Sequence, residues 1–94
     1  MFKRKKVRKY IRFYGLVQAV GFRYHARNAA SLYGATGWVR NEYDGSVSME
    51  IQGTEDQINS VLNALENDSY IRIYNKEVRE IPLEDDERSF TVAY

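Results

Sequence analysis

The stretch that most constrains this chain runs from Gly15 to Asn41: Gly15-Leu16-Val17-Gln18-Ala19-Val20-Gly21-Phe22-Arg23, then a helical pattern, then Gly37-Trp38-Val39-Arg40-Asn41. It reads as a strand end, a glycine-bounded loop, a helix start carrying an arginine, and a strand ending in a carboxamide. Backbone N–H groups at a helix start have no intrahelical partner, and the helix dipole adds partial positive charge there, so this junction suits an anion. Arg23, in the first helical turn, can add the guanidinium fork that matches a phosphate. On these residues alone two readings stand: a phosphate-binding active site, or a tight strand-to-helix turn with a solvated arginine.

The segments around this stretch extend the pattern. From Val7 to Tyr14 the residues alternate, with Val7, Ile11 and Phe13 on one face and Arg8, Tyr10, Arg12 and Tyr14 on the other, which predicts a half-buried strand. Phe22, Ala26, Ala29, Ala30 and Tyr33 fall at helical spacings, and Gly34 stands where a C-terminal cap is expected. Gly37 to Asn41 and Ser46 to Gln52 read as two antiparallel strands joined through Asp44-Gly45. Thr54-Glu55-Asp56-Gln57 has capping-box spacing, and Ile58, Val61, Leu62 and Leu65 give the following helix one apolar face. Asn67-Asp68-Ser69 marks its exit. A fourth strand lies within Ile71 to Ile81 without fixed limits, Pro82 and the acidic run after it predict a solvated turn, and Phe90 to Tyr94 forms a last strand.

The resulting order, β-α-β-β-α-β with a short extra strand, predicts an α+β split β-α-β arrangement: an antiparallel sheet with two helices packed on one face. A length of 94 residues fits a single domain over 1–94, with residues 1–6 expected as a flexible basic N-terminus. Hydrophobic content of 44% with 29% charged residues, and no apolar run long enough to span a bilayer, point to a soluble cytoplasmic protein without membrane association. Oligomerisation has no sequence signal, and a monomer is expected. The formal net charge of +1 hides an uneven distribution: Lys3, Arg4, Lys5, Lys6, Arg8, Lys9 and Arg12 crowd one end, and Glu84 to Glu87 the other. Such a basic cluster can bind nucleic acid, but outward-facing charges on a first strand explain it as well.

Elimination narrows the chemistry. With one histidine and no cysteine, a tetrahedral zinc site or a cysteine–histidine dyad is disfavoured, and no P-loop or dinucleotide fingerprint is present. His25 reads as a structural or surface residue, Asp44 as a turn residue, and no carboxylate pair stands out as an acid/base couple. Arg23, the loop amides and Asn41 remain. A carboxamide is no base, but it can hold a water by donating and accepting hydrogen bonds together. Asn41 read by itself is equally a strand-end asparagine that starts the turn toward Asp44.

Gly15 to Arg23 resembles the first signature of the acylphosphatase family, and Gly37 to Asn41 followed by Asp44-Gly45-Ser46-Val47 resembles its second. Gln52-Gly53 and the closing Phe90-Thr91-Val92-Ala93-Tyr94 are similar to family positions too, whereas Asn67 to Arg88 matches loosely. The resemblance implies a ferredoxin-like enzyme that hydrolyses the carboxyl–phosphate anhydride of a small-molecule acyl phosphate, with no cofactor and no metal. It assigns phosphate binding to Gly15, Leu16, Val17, Gln18, Ala19, Val20, Gly21 and Arg23, and catalysis to Arg23 and Asn41, with Asn41 positioning the attacking water. Inorganic phosphate or sulfate is then expected to compete with substrate. One departure stands out: the family usually has Gln-Gly-Val where this chain has Gln18-Ala19-Val20, and at φ > 0 the Cβ of Ala19 costs on the order of 1 kcal/mol or more. The alternative function is a non-catalytic phosphate- or RNA-binding module of the same fold. RNA is disfavoured because Val47-Ser48-Met49-Glu50-Ile51 lacks the aromatic motif of an RNA-binding central strand.

Overall fold

A computed structural model of the chain describes residues 5–94. The order is β1 (Lys6–Leu16), α1 (Phe22–Tyr33), β2 (Thr36–Asn41), β3 (Val47–Thr54), α2 (Glu55–Glu66), β4 (Arg72–Ile81) and β5 (Phe90–Ala93). One sheet carries all five strands in the order β4-β1-β3-β2-β5. Ile11 and Phe13 of β1, Val39 of β2, and Met49 and Ile51 of β3 are buried with Phe22, Ala26, Ala29 and Ala30 of α1 and Ile58, Val61 and Leu65 of α2 in one core. Both helices therefore cover the same face, and the alanine stripe of α1 lets that helix lie close to the strands. The Phe13 and Phe22 rings meet at 5.0 Å, pinning the start of α1 over β1.

The split β-α-β class is as the periodicity predicts, with one correction to the expected all-antiparallel sheet. Strands β4, β1, β3 and β2 are antiparallel neighbours, whereas β5 pairs parallel to β2 through Gly37↔Phe90 to Arg40↔Ala93. Direction follows from the connection. The chain leaves β4 at one edge, crosses the sheet through residues 82–89, and enters β5 at the other edge. Asn41 and Tyr94 are thereby brought to the same end of the sheet, because two parallel strands share their C-terminal ends.

That crossing gives Arg8 a place the alternation could not show. It projects from the face away from the helices, as expected, yet it is only 2% exposed. Its guanidinium donates to Glu50 Oε1 at 2.9 Å, Gln52 Oε1 at 3.3 Å, and Glu87 Oε1 and Oε2 at 2.7 and 3.1 Å. Gln52 exchanges hydrogen bonds with the Glu84 backbone at 3.0 and 2.8 Å. The acidic run is therefore partly a strap clasped over the sheet rather than a fully solvated turn. Lys6 also belongs to β1, paired with Thr54, and not to a flexible tail; Lys3 and Arg4 lie outside the described residues. Among the described residues no helix is long and apolar enough to cross a membrane.

The candidate active site

Four chain segments converge at one end of the sheet. Val47 at the start of β3 pairs with Phe13 near the end of β1 and with Asn41 at the end of β2, so these residues occupy one row. The loop after β1, the carboxamide of Asn41 and the terminal Tyr94 beyond β5 therefore meet above that row. A cavity of about 200 Å³ opens there, lined by Val17, Ala19, Gly21, Phe22, Arg23, Tyr24 and Asn41.

The N-terminus of α1 opens on this cavity without a cap of its own. Gly21 holds the N-cap position in the left-handed region, with φ 78°, no side chain caps the helix, and its first turn contains no acidic residue. The N–H of His25 is the first to reach back into the helix, to the Gly21 carbonyl at 2.9 Å. The amides before it are the orphan donors that an anion can satisfy. Ala19 has φ 59° and is the one non-glycine residue at positive φ among the described residues. The loop therefore has the shape that suits glycine, and Ala19 carries the corresponding backbone strain.

Arg23 lines the cavity with its charge uncommitted. Its guanidinium carbon lies 4.9 Å from the centre of the Tyr94 ring, and no carboxylate pairs with it among the described residues. By contrast Arg8, Arg12 and Arg40 are each within 3.2 Å of a carboxylate oxygen. A guanidinium resting on an aromatic face keeps its N–H edge available for a planar or tetrahedral anion. The Asn41 carboxamide, half-buried, has no hydrogen-bond partner of its own among the described residues. Tyr94 is held from the other side, its hydroxyl 2.7 Å from that of Tyr24. That contact pushes the Tyr94 phenol pKa up.

The predicted cradle divides into parts with different duties. Val17, Ala19, Gly21, Arg23 and Asn41 come together around the cavity. Gly15 and Leu16 are still in β1, paired with Ile73 and Arg72 after a register shift. At Gly15, φ is 139° and a Cβ would sit 2.1 Å from the Arg72 carbonyl oxygen, so glycine there answers to β4. Val20 packs against the core. The Gln18 side chain turns away from any anion and donates to the carbonyls of Glu42 and Ser46 at 2.7 and 2.8 Å. It ties the loop to the β2–β3 turn that follows Asn41, so the two halves of the site are fixed to each other. His25, expected as a structural or surface residue, lies 2.9 Å from Asp68 at the exit of α2. Tyr24, Tyr94 and the Gln18 link were not predicted as site features; a terminal tyrosine acquires meaning only once β5 is known to run parallel to β2.

The cavity thus joins an uncapped helix start on a split β-α-β sheet to an arginine without a carboxylate partner and a carboxamide without a hydrogen-bond partner among the described residues. The acylphosphatase family model matches residues 9–92. The acylphosphatase of Oceanobacillus iheyensis is 40% identical over 82 residues, covering 85% of this chain and 90% of that protein. The one from Clostridium acetobutylicum is 36% identical over 85 residues, covering 89% and 93%. The crystal structure of acylphosphatase from Bacillus subtilis superposes with a TM-score of 0.85 at 29% identity, covering 94% of this chain and 99% of that one. The chain belongs to the acylphosphatase family.

Proposed function

We propose that this chain hydrolyses acyl phosphates to a carboxylate and inorganic phosphate, with the 15–21 loop and Arg23 holding the phosphoryl group and Asn41 orienting the water. Arg23 and the unpaired amides from Ala19 to Tyr24 meet the phosphoryl oxygens, and their positive charge balances the charge that spreads over those oxygens in the transition state. Asn41 accepts a hydrogen bond from the water and turns its lone pair to phosphorus. The water oxygen bonds to phosphorus as the bond from phosphorus to the acyl oxygen breaks, and that electron pair leaves on the carboxylate. The water proton passes to a phosphoryl oxygen, so neither a protein base nor a general acid is needed for a leaving group this good. Positioning and charge stabilisation then supply most of the rate.

The observation that carries this reading is the pair of groups at the cavity without a carboxylate or hydrogen-bond partner among the described residues, the Arg23 guanidinium of α1 and the Asn41 carboxamide, whereas Arg8, Arg12 and Arg40 of the strands are tied to the protein's own carboxylates. The binding-module reading is supported less well. Of the basic cluster, Arg8, Lys9 and Arg12 face Glu87, Glu55 and Asp44 at 2.7, 2.9 and 2.9 Å, so these three charges are already met by the protein's own carboxylates rather than kept for a nucleic-acid backbone. We place the enzyme in the cytoplasm, acting as a monomer on a small-molecule substrate, with phosphate or sulfate as competing anions. The test is to follow loss of the benzoyl phosphate anhydride with pure protein and a chelator present. Hydrolysis well above the uncatalysed control is expected; a rate equal to the control would favour the binding module.

A further inference from the structure

Strand β4 forms one edge of the sheet, with β1 as its one neighbour, so the backbone groups along its outer side have no strand to pair with. Its middle reads Lys76-Glu77-Val78-Arg79-Glu80 and runs in regular register with β1, from Phe13↔Lys76 to Lys9↔Glu80. All five of these residues are exposed, Val78 by 47%. Successive side chains alternate between the two faces. Val78 lies across from Ile11 on the helix side, where Lys76 reaches Glu66 of α2 at 3.0 Å. Glu77 and Arg79 lie on the open side: Glu77 accepts from the Tyr14 hydroxyl, and Arg79 stacks over the Tyr10 ring at 4.9 Å. Glu77, Arg79 and Glu80 form no ion pair among the described residues.

We propose that this edge pairs antiparallel with the same edge of a second copy of the chain, about a two-fold axis at Val78, and so continues the sheet from one copy into the other. Charges on an edge strand ordinarily discourage such pairing. Here their order selects one partner, because the run plus, minus, neutral, plus, minus is its own complement when read in the opposite direction. An axis normal to the sheet keeps each face on its own side. With that axis at Val78, the two Val78 side chains meet, Glu77 of either copy lies across from Arg79 of the other, and Lys76 lies across from Glu80. All four charges thus find an opposite charge directly across the strands, the arrangement that stabilises cross-strand pairs. Shifting the axis to Lys76, Glu77 or Arg79 sets that charge against itself, so the register is fixed by the same residues. The contact is short and belongs with weak interfaces, so the pair forms at high protein concentration while dilute enzyme acts as single chains. Each copy keeps its own cavity, since Tyr94 follows β5 at the opposite edge of the sheet.

Sedimentation velocity from about 10 μM to about 1 mM tests the pairing, over the range where weak association is read. The wild type should pass from monomer to dimer. Glu77→Arg and Arg79→Glu each set like charges opposite one another at two places, and each should weaken self-association about tenfold or more. Mixed in equal amounts, the two variants should associate again, because two acids on one edge then face two arginines on the other. Val78→Lys, which puts two ammonium groups together at the axis, should abolish the dimer while circular dichroism shows the fold intact. Should either charge variant fail to fold, Val78→Lys decides together with the wild-type ¹⁵N spectrum, whose concentration-dependent shifts should cluster from Lys76 to Glu80. A wild type that stays monomeric throughout would overturn the proposal. So would a dimer that Val78→Lys leaves intact, folded charge variants that do not associate when mixed, or shifts that cluster away from β4.

Discussion

The two helices of this protein begin in opposite ways. At α2 the chain satisfies its own N-terminus: Thr54 Oγ1 accepts from the Gln57 N–H at 3.2 Å, Gln57 Oε1 accepts from the Thr54 N–H at 2.9 Å, and Glu55 and Asp56 stand in the positive first turn. At α1 there is no side-chain cap and no acid, and the approach runs through Ala19 and Gly21 in left-handed backbone. A capping box suits a helix whose only task is to pack. The start of α1 forgoes that stabilisation and carries strain, which makes sense where a ligand supplies the missing negative charge. One end is satisfied by the chain itself and the other is left open, as the proposed anion site requires.

The largest effects should come from the groups that α1 presents together with their partner on β2. Asn41→Ala is expected to lower kcat by ~10²-fold or more while leaving phosphate inhibition nearly intact, on the scale of losing one transition-state donor. Arg23→Ala should lower both turnover and phosphate affinity. Steady-state kinetics with phosphate as inhibitor separates the two, and reversal of the pattern would remove water positioning from Asn41.

Giving α1 a charge of its own sharpens the contrast further. Gly21→Asp places a carboxylate at the helix start in open space, since a Cβ there meets nothing within 4 Å. It should weaken phosphate inhibition by about tenfold or more relative to Gly21→Asn, which carries the same backbone strain without the charge. The reciprocal change, Thr54→Ala, should cost ~0.5–2 kcal/mol of stability by denaturant unfolding and leave kcat/KM alone.

Smaller still is the change at Ala19. Because φ is 59°, Ala19→Gly relieves a left-handed penalty of roughly 1–2 kcal/mol, offset by about 0.4–1 kcal/mol of added unfolded-state freedom. A raised denaturation midpoint at constant m-value is expected. A lower midpoint with unchanged kcat would show that the loop holds no strain.

The smallest effect is electrostatic and lies away from the cavity. Asp68 accepts from the Tyr70 N–H at 2.7 Å and faces His25, and its pKa is lowered, first by the backbone bond and then by the histidine. A folded pKa below the unfolded value near 4 means the contribution is present above pH ~4 and is lost as pH falls through the folded pKa. Thermal unfolding between pH 6 and 2 should therefore show a shallower acid decline for Asp68→Asn than for the wild type.

Much of the helix contrast was legible in the sequence, since capping chemistry and glycine placement are local. Thr54 and Gln57 declare the box three residues apart, and Gly34 the end of α1. Arg23 and Asn41, which line one cavity, stand out as candidates because little else in the chain offers phosphate chemistry. What stayed hidden was non-local. The burial of Arg8 depends on Glu87, distant in sequence, and the place of Tyr94 beside Arg23 depends on the parallel pairing of β5. The limits of β4 were illegible because it is an edge strand with most of its residues exposed, so no alternation of apolar side chains marks it. Ala19 lay between these extremes, its two possible conformations having opposite consequences until φ was known.

The difference between the helix starts is tested most directly by titrating ¹⁵N-labelled protein with inorganic phosphate. The amides from Val17 to Tyr24 should shift most and saturate together, while those of Glu55, Asp56 and Gln57 stay still. Comparable shifts at both helix starts, or shifts confined to Lys5 to Lys9, would contradict the assignment of the α1 terminus as the anion site.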